Sequence, residues 1–168
     1  MDAPLGAAAA PGLKALVLAR RFVGVAEQPP GSNRTPFGRW FGADGEPWCA
    51  MFLSYCFAVG AGVVLCGGMR AAGVNEHGCA YVPTLEQWLR QTQQWVDTPL
   101  PGDIAVFNWD GGQPDHAGIV ERILVDGGFG TIEGNAGDEV ARRRRARGDA
   151  VGFGRVRAYV LAEPSSYT

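Results

Sequence analysis

Apolar and polar positions follow different spacings in the two halves of the chain. Apolar residues at helical spacing dominate the first half and predict helices over 13–23, 48–58 and 84–95. Alternation with a period of two dominates the second half and predicts strands over 103–109, 116–125, 129–133 and 151–161. Helices followed by an antiparallel meander are typical of α+β proteins. We therefore expect N-terminal helices packed on an antiparallel β-sheet.

Local signals predict where these helices begin and end. Pro47 suits the first turn of the second helix, and Gly60 is placed to end it. Thr84 and Gln87 occupy the two positions of a capping box at the start of the third helix. The segments between the helices are predicted as a short helix or aromatic-lined loop at 35–42 and as irregular chain at 61–83.

Size and composition indicate one globular domain. The chain has 168 residues, of which 46% are hydrophobic and 19% are charged. We expect a flexible N-terminal segment over 1–12, a single domain over 13–162 and a C-terminal tail over 163–168. The formal net charge of −2 gives no electrostatic reason to expect a nucleic-acid partner. A monomer is the simplest expectation.

The uncharged stretch 49–69 is about as long as a membrane span. It also contains polar residues and four glycines, and a helix buried in a small domain is equally apolar on all sides. We favour the buried helix and expect no membrane span. The first residues lack a basic region followed by an apolar run, so no signal peptide is predicted.

The four cysteines do not form a recognisable metal or redox motif. They stand at positions 49, 56, 66 and 79 without a CxxC pair, which excludes a zinc ribbon and a thioredoxin motif. Cys66, His77 and Cys79 follow no standard ligand spacing. We therefore expect free cysteines and neither a metal nor another cofactor.

Cys49 and His116 are the candidate nucleophile and base. Cys49 follows Pro47 at a helix start, where the positive end of the helix dipole stabilises a thiolate. The alternative is a buried core cysteine, which Cys56 fits better because it lies inside the helix. His116 begins an apolar strand, whereas His77 lies in an irregular segment, and a strand holds a base more rigidly than a loop.

An imidazole base needs a partner on its second nitrogen. If 116–125 and 129–133 form a hairpin, Glu133 lies beside His116 and is our first candidate for this partner. Asn135 would share that role or bind substrate. The alternative is that both residues merely end a strand. The Cys49 N–H is the expected oxyanion donor, and the second donor stays unassigned.

Three further residues are candidates for a substrate cleft, although aromatic residues lie more often in the core. They are Asn33, Trp48 and Trp109. The arginine run Arg142–Arg147 is predicted as a solvated loop, or as a site for an anionic wall polymer such as a teichoic acid.

Five short motifs, in this order, resemble the CHAP domain, the cysteine, histidine-dependent amidohydrolase/peptidase module of the NlpC/P60-like papain superfamily. They are Pro47-Trp48-Cys49-Ala50, Pro101-Gly102-Asp103, His116-Ala117-Gly118-Ile119-Val120, Glu133-Gly134-Asn135 and Gly152-Phe153-Gly154-Arg155. The resemblance covers 25–160. It implies a papain-like fold and cleavage of an amide bond in bacterial peptidoglycan, as an N-acetylmuramoyl-L-alanine amidase or an endopeptidase of the phage endolysin type.

The resemblance implies that Cys49 is the nucleophile, His116 the base, Glu133 the polar third member and Asn135 an auxiliary residue, with a thioester intermediate. Some family members bind calcium through an acidic loop upstream of the cysteine. Residues 31–35 carry no acidic residue here, so we expect no calcium.

The resemblance also implies action at the bacterial cell wall, reached by holin release from a phage, on a virion or by non-classical export. Many members carry a separate wall-binding domain, which this sequence does not show. Two alternatives stay open: a catalytically silent wall-binding module, and a papain-like amidase with a substrate outside the wall.

Overall fold

Helices come first along the described chain and the main sheet follows. The computed structural model describes residues 10–158. The helices are α1 (Ala10–Arg20), α2 (Pro36–Phe41), α3 (Cys49–Ala61) and α4 (Val82–Gln91). The strands are β1 (Val74–Asn75), β2 (Gly78–Cys79), β3 (Trp95–Val96), β4 (Ile104–Phe107), β5 (His116–Ile123), β6 (Phe129–Glu133), β7 (Ala141–Arg145) and β8 (Ala150–Gly154). This order confirms the predicted α+β class.

The main sheet has six antiparallel strands in the order β3-β8-β4-β5-β6-β7. Strands β4 to β7 form a meander, in which each strand pairs with the next one along the chain. Strand β8 returns to pair with β4 and β3. Strands β1 and β2 form a separate two-stranded ribbon. The predicted hairpin of β5 and β6 is therefore confirmed.

The two faces of the sheet support different apolar clusters, because successive side chains point to opposite sides of a strand. Apolar side chains of one face pack with the helices: Ile104, Val106, Ala117, Ile119 and Ile132. Side chains of the other face form a smaller cluster: Ala105, Phe107, Val120, Phe129, Ala150 and Phe153. The second cluster supports the charged residues described below.

Helix α3 lies at the centre of the larger cluster. It packs against α1, α2 and β5, and its residues 49–54, 56 and 57 are buried. The helix ends at Gly62, whose positive φ of 68° forms a left-handed cap two residues beyond the predicted end. Within residues 10–158, no helix has both the length and the apolar character needed to cross a membrane.

Several predicted boundaries are wrong. Helix α4 begins at Val82 because Pro83 fits its first turn, and the Thr84 hydroxyl donates to the Ala72 carbonyl rather than capping the helix. The irregular stretch contains the β1–β2 ribbon. The arginine run is not a loop, because Ala141–Arg145 forms the edge strand β7. The last strand ends at Gly154, and 159–161 lie outside the described residues.

Candidate active site

The N-terminus of α3 holds the candidate nucleophile. Cys49 is the first residue of the helix and is 7% exposed. The first N–H groups of a helix have no partner within the helix, so the Cys49 N–H is available to an oxyanion. Cys49 also lines a cleft of about 690 Å³, together with Tyr81, Gln113 and Asp115. The thiol therefore faces a space large enough for part of a peptide substrate.

A buried carboxylate, that of Glu27, binds two segments of the chain that precede this helix. The Glu27 carboxylate accepts a hydrogen bond of 3.0 Å from the Trp48 indole and one of 2.9 Å from the Asn33 N–H. The Trp48 ring also stacks on Phe37 at 5.7 Å between centroids. Trp48 is fully buried, so the prediction that it lines the cleft is wrong. Its role is to hold the segment that ends at Cys49.

His116 lies at the start of β5, opposite Phe107 of β4. Its Nε2 lies 2.8 Å from a carboxylate oxygen of Glu133, so Nδ1 is the nitrogen that remains for a second partner. Burial lowers the pKa of His116, but the hydrogen bonds to Cys49 and Glu133 outweigh it and raise the pKa to about 9. The arrangement therefore stabilises a protonated imidazole beside the thiol.

Glu133 ends β6 and is 0% exposed. Its carboxylate accepts hydrogen bonds from the Thr131 hydroxyl at 2.6 Å and from Arg145 at 2.9 and 2.6 Å, besides the contact with His116. Burial raises the pKa of Glu133, but the bonds from His116, Arg145 and Thr131 outweigh it and lower the pKa to about 2. The carboxylate is therefore ionised next to the imidazole.

Sequence reasoning missed Arg145 and Thr131. The Arg145 guanidinium lies 5.2 Å from the Phe107 ring centroid and 4.9 Å from that of Trp109, in addition to its two bonds to Glu133. Thr131 and Arg145 lie on the adjacent strands β6 and β7, and their side chains reach Glu133 along one face of the sheet. The signal in the sequence is the alternation of a strand, in which every second side chain of the arginine run points to the same face of the sheet.

Two glycines allow the strands and the helix to come this close. A Cβ at Gly118 would lie 2.5 Å from the Glu133 side chain, and a Cβ at Gly134 would lie 2.6 Å from the Phe52 side chain. Both distances are shorter than a van der Waals contact. Glycine at position 118 therefore makes the space in which Glu133 reaches His116.

The other predicted site residues occupy different places. Asn135, with a positive φ of 56°, lines an opening of about 400 Å³ together with His116 and Trp109. The Trp109 ring is 48% exposed and stacks on Phe107. Asn33 contacts Glu27 and Gly45 through its backbone, and it is not among the residues that line either opening.

No group of three or more histidine, cysteine, aspartate or glutamate side chains in residues 10–158 is arranged to hold a metal. Near the loop over 31–35, Glu27 is occupied as above, and Asp44 accepts from the Thr35 N–H. These residues do not fit the calcium site of some CHAP members.

Three of the four arginines of β7 contact neighbouring carboxylates. Arg142 pairs with Glu121, Arg144 with Asp126 and Arg145 with Glu133. The strand therefore presents less free positive charge to an anionic polymer than its sequence suggests.

Two crystal structures of Ly7917 resemble this fold. The chain is 18% identical to the first, with a TM-score of 0.48. It is 19% identical to the second, described as Ly7917 with the hydrolyzing product of MDP, with a TM-score of 0.50. In each comparison 84% of this chain is covered, and it spans 61% of the Ly7917 chain. No curated protein matches the sequence significantly.

A family model shows the relationship directly. The model of the CHAP domain matches residues 41–135, which is more than half of the 168 residues. The matched segment begins before α3 and extends through the end of β6, so it includes Cys49, His116, Glu133 and Asn135. The chain therefore belongs to the CHAP domain family.

Proposed function

We propose that this protein is a peptidoglycan hydrolase that cleaves an amide bond of the bacterial cell wall through Cys49, His116 and Glu133. The observation that carries the proposal is an imidazole held 2.8 Å from a buried carboxylate, together with a thiol at a helix start that lines a cleft. Membership of the CHAP family supports the substrate class, as does the fold shared with a protein whose structure holds a product of MDP.

The chemistry follows from these positions. The Cys49 thiol gives its proton to His116, and the thiolate sulfur attacks the carbonyl carbon of the amide. The helix-start N–H stabilises the negative charge that forms on oxygen. His116 donates its proton to the leaving nitrogen as the C–N bond breaks, which leaves a thioester. Water then attacks the thioester while His116 accepts its proton, and the carboxyl product leaves as the thiol is restored. Glu133 keeps the ring oriented throughout.

The bond cut is either the muramoyl–alanine amide or a peptide bond of the stem or cross-bridge, giving an amidase or an endopeptidase. Both reactions use the same thioester chemistry. The cleft beside Cys49 has apolar and polar walls, which suits a peptide rather than a glycan segment alone. We propose action at the cell wall, where this substrate occurs.

Clearing of purified peptidoglycan tests the proposal. Wild-type protein should reduce the turbidity of the suspension, and Cys49→Ala should not, with an unchanged circular dichroism spectrum. Cys56→Ala is the matched control, because Cys56 lies on the same helix away from the cleft and should retain clearing. Equal clearing by wild type and Cys49→Ala would refute the assigned nucleophile, and the absence of clearing by wild type across several wall types would refute the substrate.

A further inference from the structure

Arg143 differs from its neighbours in β7. Arg142, Arg144 and Arg145 each contact a carboxylate, whereas no carboxylate of residues 10–158 lies within ion-pair distance of Arg143. Its guanidinium instead donates to two carbonyl oxygens, those of Ala136 at 2.9 Å and Arg142 at 3.2 Å. These bonds hold the group in place without neutralising its charge.

The position of Arg143 places this charge beside the candidate active site. Arg143 lines the opening of about 400 Å³ that also contains His116, Asn135 and Trp109. Asp115 lies between this opening and the cleft that contains Cys49, because it lines both. A substrate that passes Cys49 and His116 therefore extends toward Arg143.

The charge balance of the opening favours an anionic group. Glu133 is buried and already paired with Arg145 and His116, so it does not compensate Arg143. Asp115 is exposed to solvent at the rim. A half-buried guanidinium with free N–H groups binds a carboxylate through charge-assisted hydrogen bonds.

We propose that Arg143, together with Asn135 and the exposed ring of Trp109, forms a subsite for a carboxylate of the peptidoglycan stem peptide. This inference rests on the proposed function and adds a substrate preference to it: peptides with a free carboxylate near the scissile bond are favoured over the same peptides in amidated form. A single guanidinium within a small opening suits one carboxylate, whereas a polyanion such as a teichoic acid needs several free charges.

Two muropeptides that differ in one chemical feature test the subsite. One carries its free stem-peptide carboxylates, and in the other every carboxylate is converted to a carboxamide. Wild type should cleave the acid with a kcat/KM about tenfold or more above that of the amide, as expected for a charged hydrogen bond. Arg143→Gln should remove this preference by slowing cleavage of the acid alone.

The matched control is Arg144→Gln, since Arg144 lies on the same strand, pairs with Asp126 and lines no part of this opening. It should retain the full preference. Equal rates of wild type on the two peptides, or equal losses on both in Arg143→Gln, would overturn the subsite while leaving the proposed hydrolase intact.

Binding separates the subsite from the hydrolytic activity. If wild type cleaves neither peptide, the proposed function fails, and calorimetric titration of Cys49→Ala with both peptides tests the subsite on its own. Tighter binding of the acid, lost in Cys49→Ala/Arg143→Gln, would support the carboxylate subsite. Three results would overturn the subsite. They are equal binding of the two peptides, binding of neither peptide, and the same preference for the acid in Cys49→Ala/Arg143→Gln as in Cys49→Ala.

Discussion

Glu133 determines the geometry of the candidate active site at the scale of single residues. Its carboxylate is buried and accepts hydrogen bonds from Thr131 and Arg145, so that it lies 2.8 Å from His116. A buried carboxylate requires such partners, because an unpaired charge in the protein interior is costly. The arginine in the sheet thus supports the histidine through the carboxylate between them.

Gly118→Ala should disturb this arrangement while Cys49, His116 and Glu133 themselves stay unchanged. The added methyl would lie 2.5 Å from the Glu133 Cγ and would push the carboxylate away from His116. Misplacement of a catalytic group by about 1 Å costs about a hundredfold in rate, and we expect a loss of about that size in kcat/KM. Steady-state kinetics on solubilised muropeptides measure this effect.

Gly148→Ala is the control for Gly118→Ala, because a Cβ at position 148 would meet no atom within 4 Å. It should retain the wild-type rate. A Gly118→Ala protein with unchanged kcat/KM would show that the position of Glu133 does not limit the reaction.

Titration of His116 gives a second test at this scale. The pKa of His116 should be about 9 in the wild type, because the contacts with Cys49 and Glu133 outweigh burial. Glu133→Gln removes one of these contacts, and the pKa should fall toward or below the ordinary value of 6.5. Two-dimensional NMR of the imidazole resonances measures both values, with His116→Ala distinguishing this histidine from His77.

An unchanged His116 titration in Glu133→Gln would contradict the role of Glu133 as orienting partner. Sequence reasoning predicted this partner because counting residues from the hairpin turn places His116 and Glu133 near each other. It did not predict Arg145, because a run of arginines resembles an exposed loop. That the run forms strand β7 is visible only in its pairing with β6.

At the scale of elements, the start of α3 depends on a residue far from it in sequence. Glu27 lies before α2, yet it accepts from the Trp48 indole and so fixes the residue before Cys49. Trp48 was among the sequence-based candidates for the cleft. The helix instead turns its ring into the core, and only the packing of Phe37 and Glu27 determines that direction.

Glu27→Ala should reduce stability and weaken the position of the nucleophile. The change leaves two N–H groups, of Trp48 and Asn33, without their acceptor. Each unsatisfied buried group costs about 1–3 kcal/mol, so the free energy of unfolding should fall by at least about 1 kcal/mol. Urea denaturation followed by tryptophan fluorescence measures the change.

Glu76→Ala provides the comparison for Glu27→Ala. The Glu76 side chain is 80% exposed, and its replacement should change the free energy of unfolding by less than about 0.5 kcal/mol. Equal effects of the two changes would contradict a structural role for the buried carboxylate.

At the scale of the whole molecule, helices and sheet contribute separate halves of the site. The apolar pattern predicted the helical first half, the strand-rich second half and the antiparallel meander, because each follows from local periodicity. The order β3-β8-β4 was not predictable in the same way, since strand β8 joins the sheet through contacts distant in sequence. The helix carrying Cys49 and the strands carrying His116 and Glu133 meet only in the assembled fold.

The charges of His116 and Glu133, on neighbouring strands of the sheet, make the stability of the fold depend on pH. The pKa of His116 is raised, so its contribution is full below pH 6.5 and is lost as pH rises through about 9. The pKa of Glu133 is lowered, so its contribution is full above pH 4.5 and is lost as pH falls toward about 2. Both contributions are therefore complete between pH 4.5 and 6.5.

Chemical denaturation across this pH range should show the dependence. In the double variant His116→Ala/Glu133→Gln, the free energy of unfolding should vary less with pH on both sides of that window. The same pH dependence in wild type and double variant would show that other groups control acid and alkaline stability.

Mass spectrometry of a peptidoglycan digest tests the central claim most directly. Wild-type protein should release fragments that carry new amine and carboxyl ends in equal numbers, which identifies the amide bond that was cut. Folded Cys49→Ala should release none of them. New reducing sugar ends, or the same amide fragments from Cys49→Ala, would contradict amide hydrolysis by the Cys49 thiol.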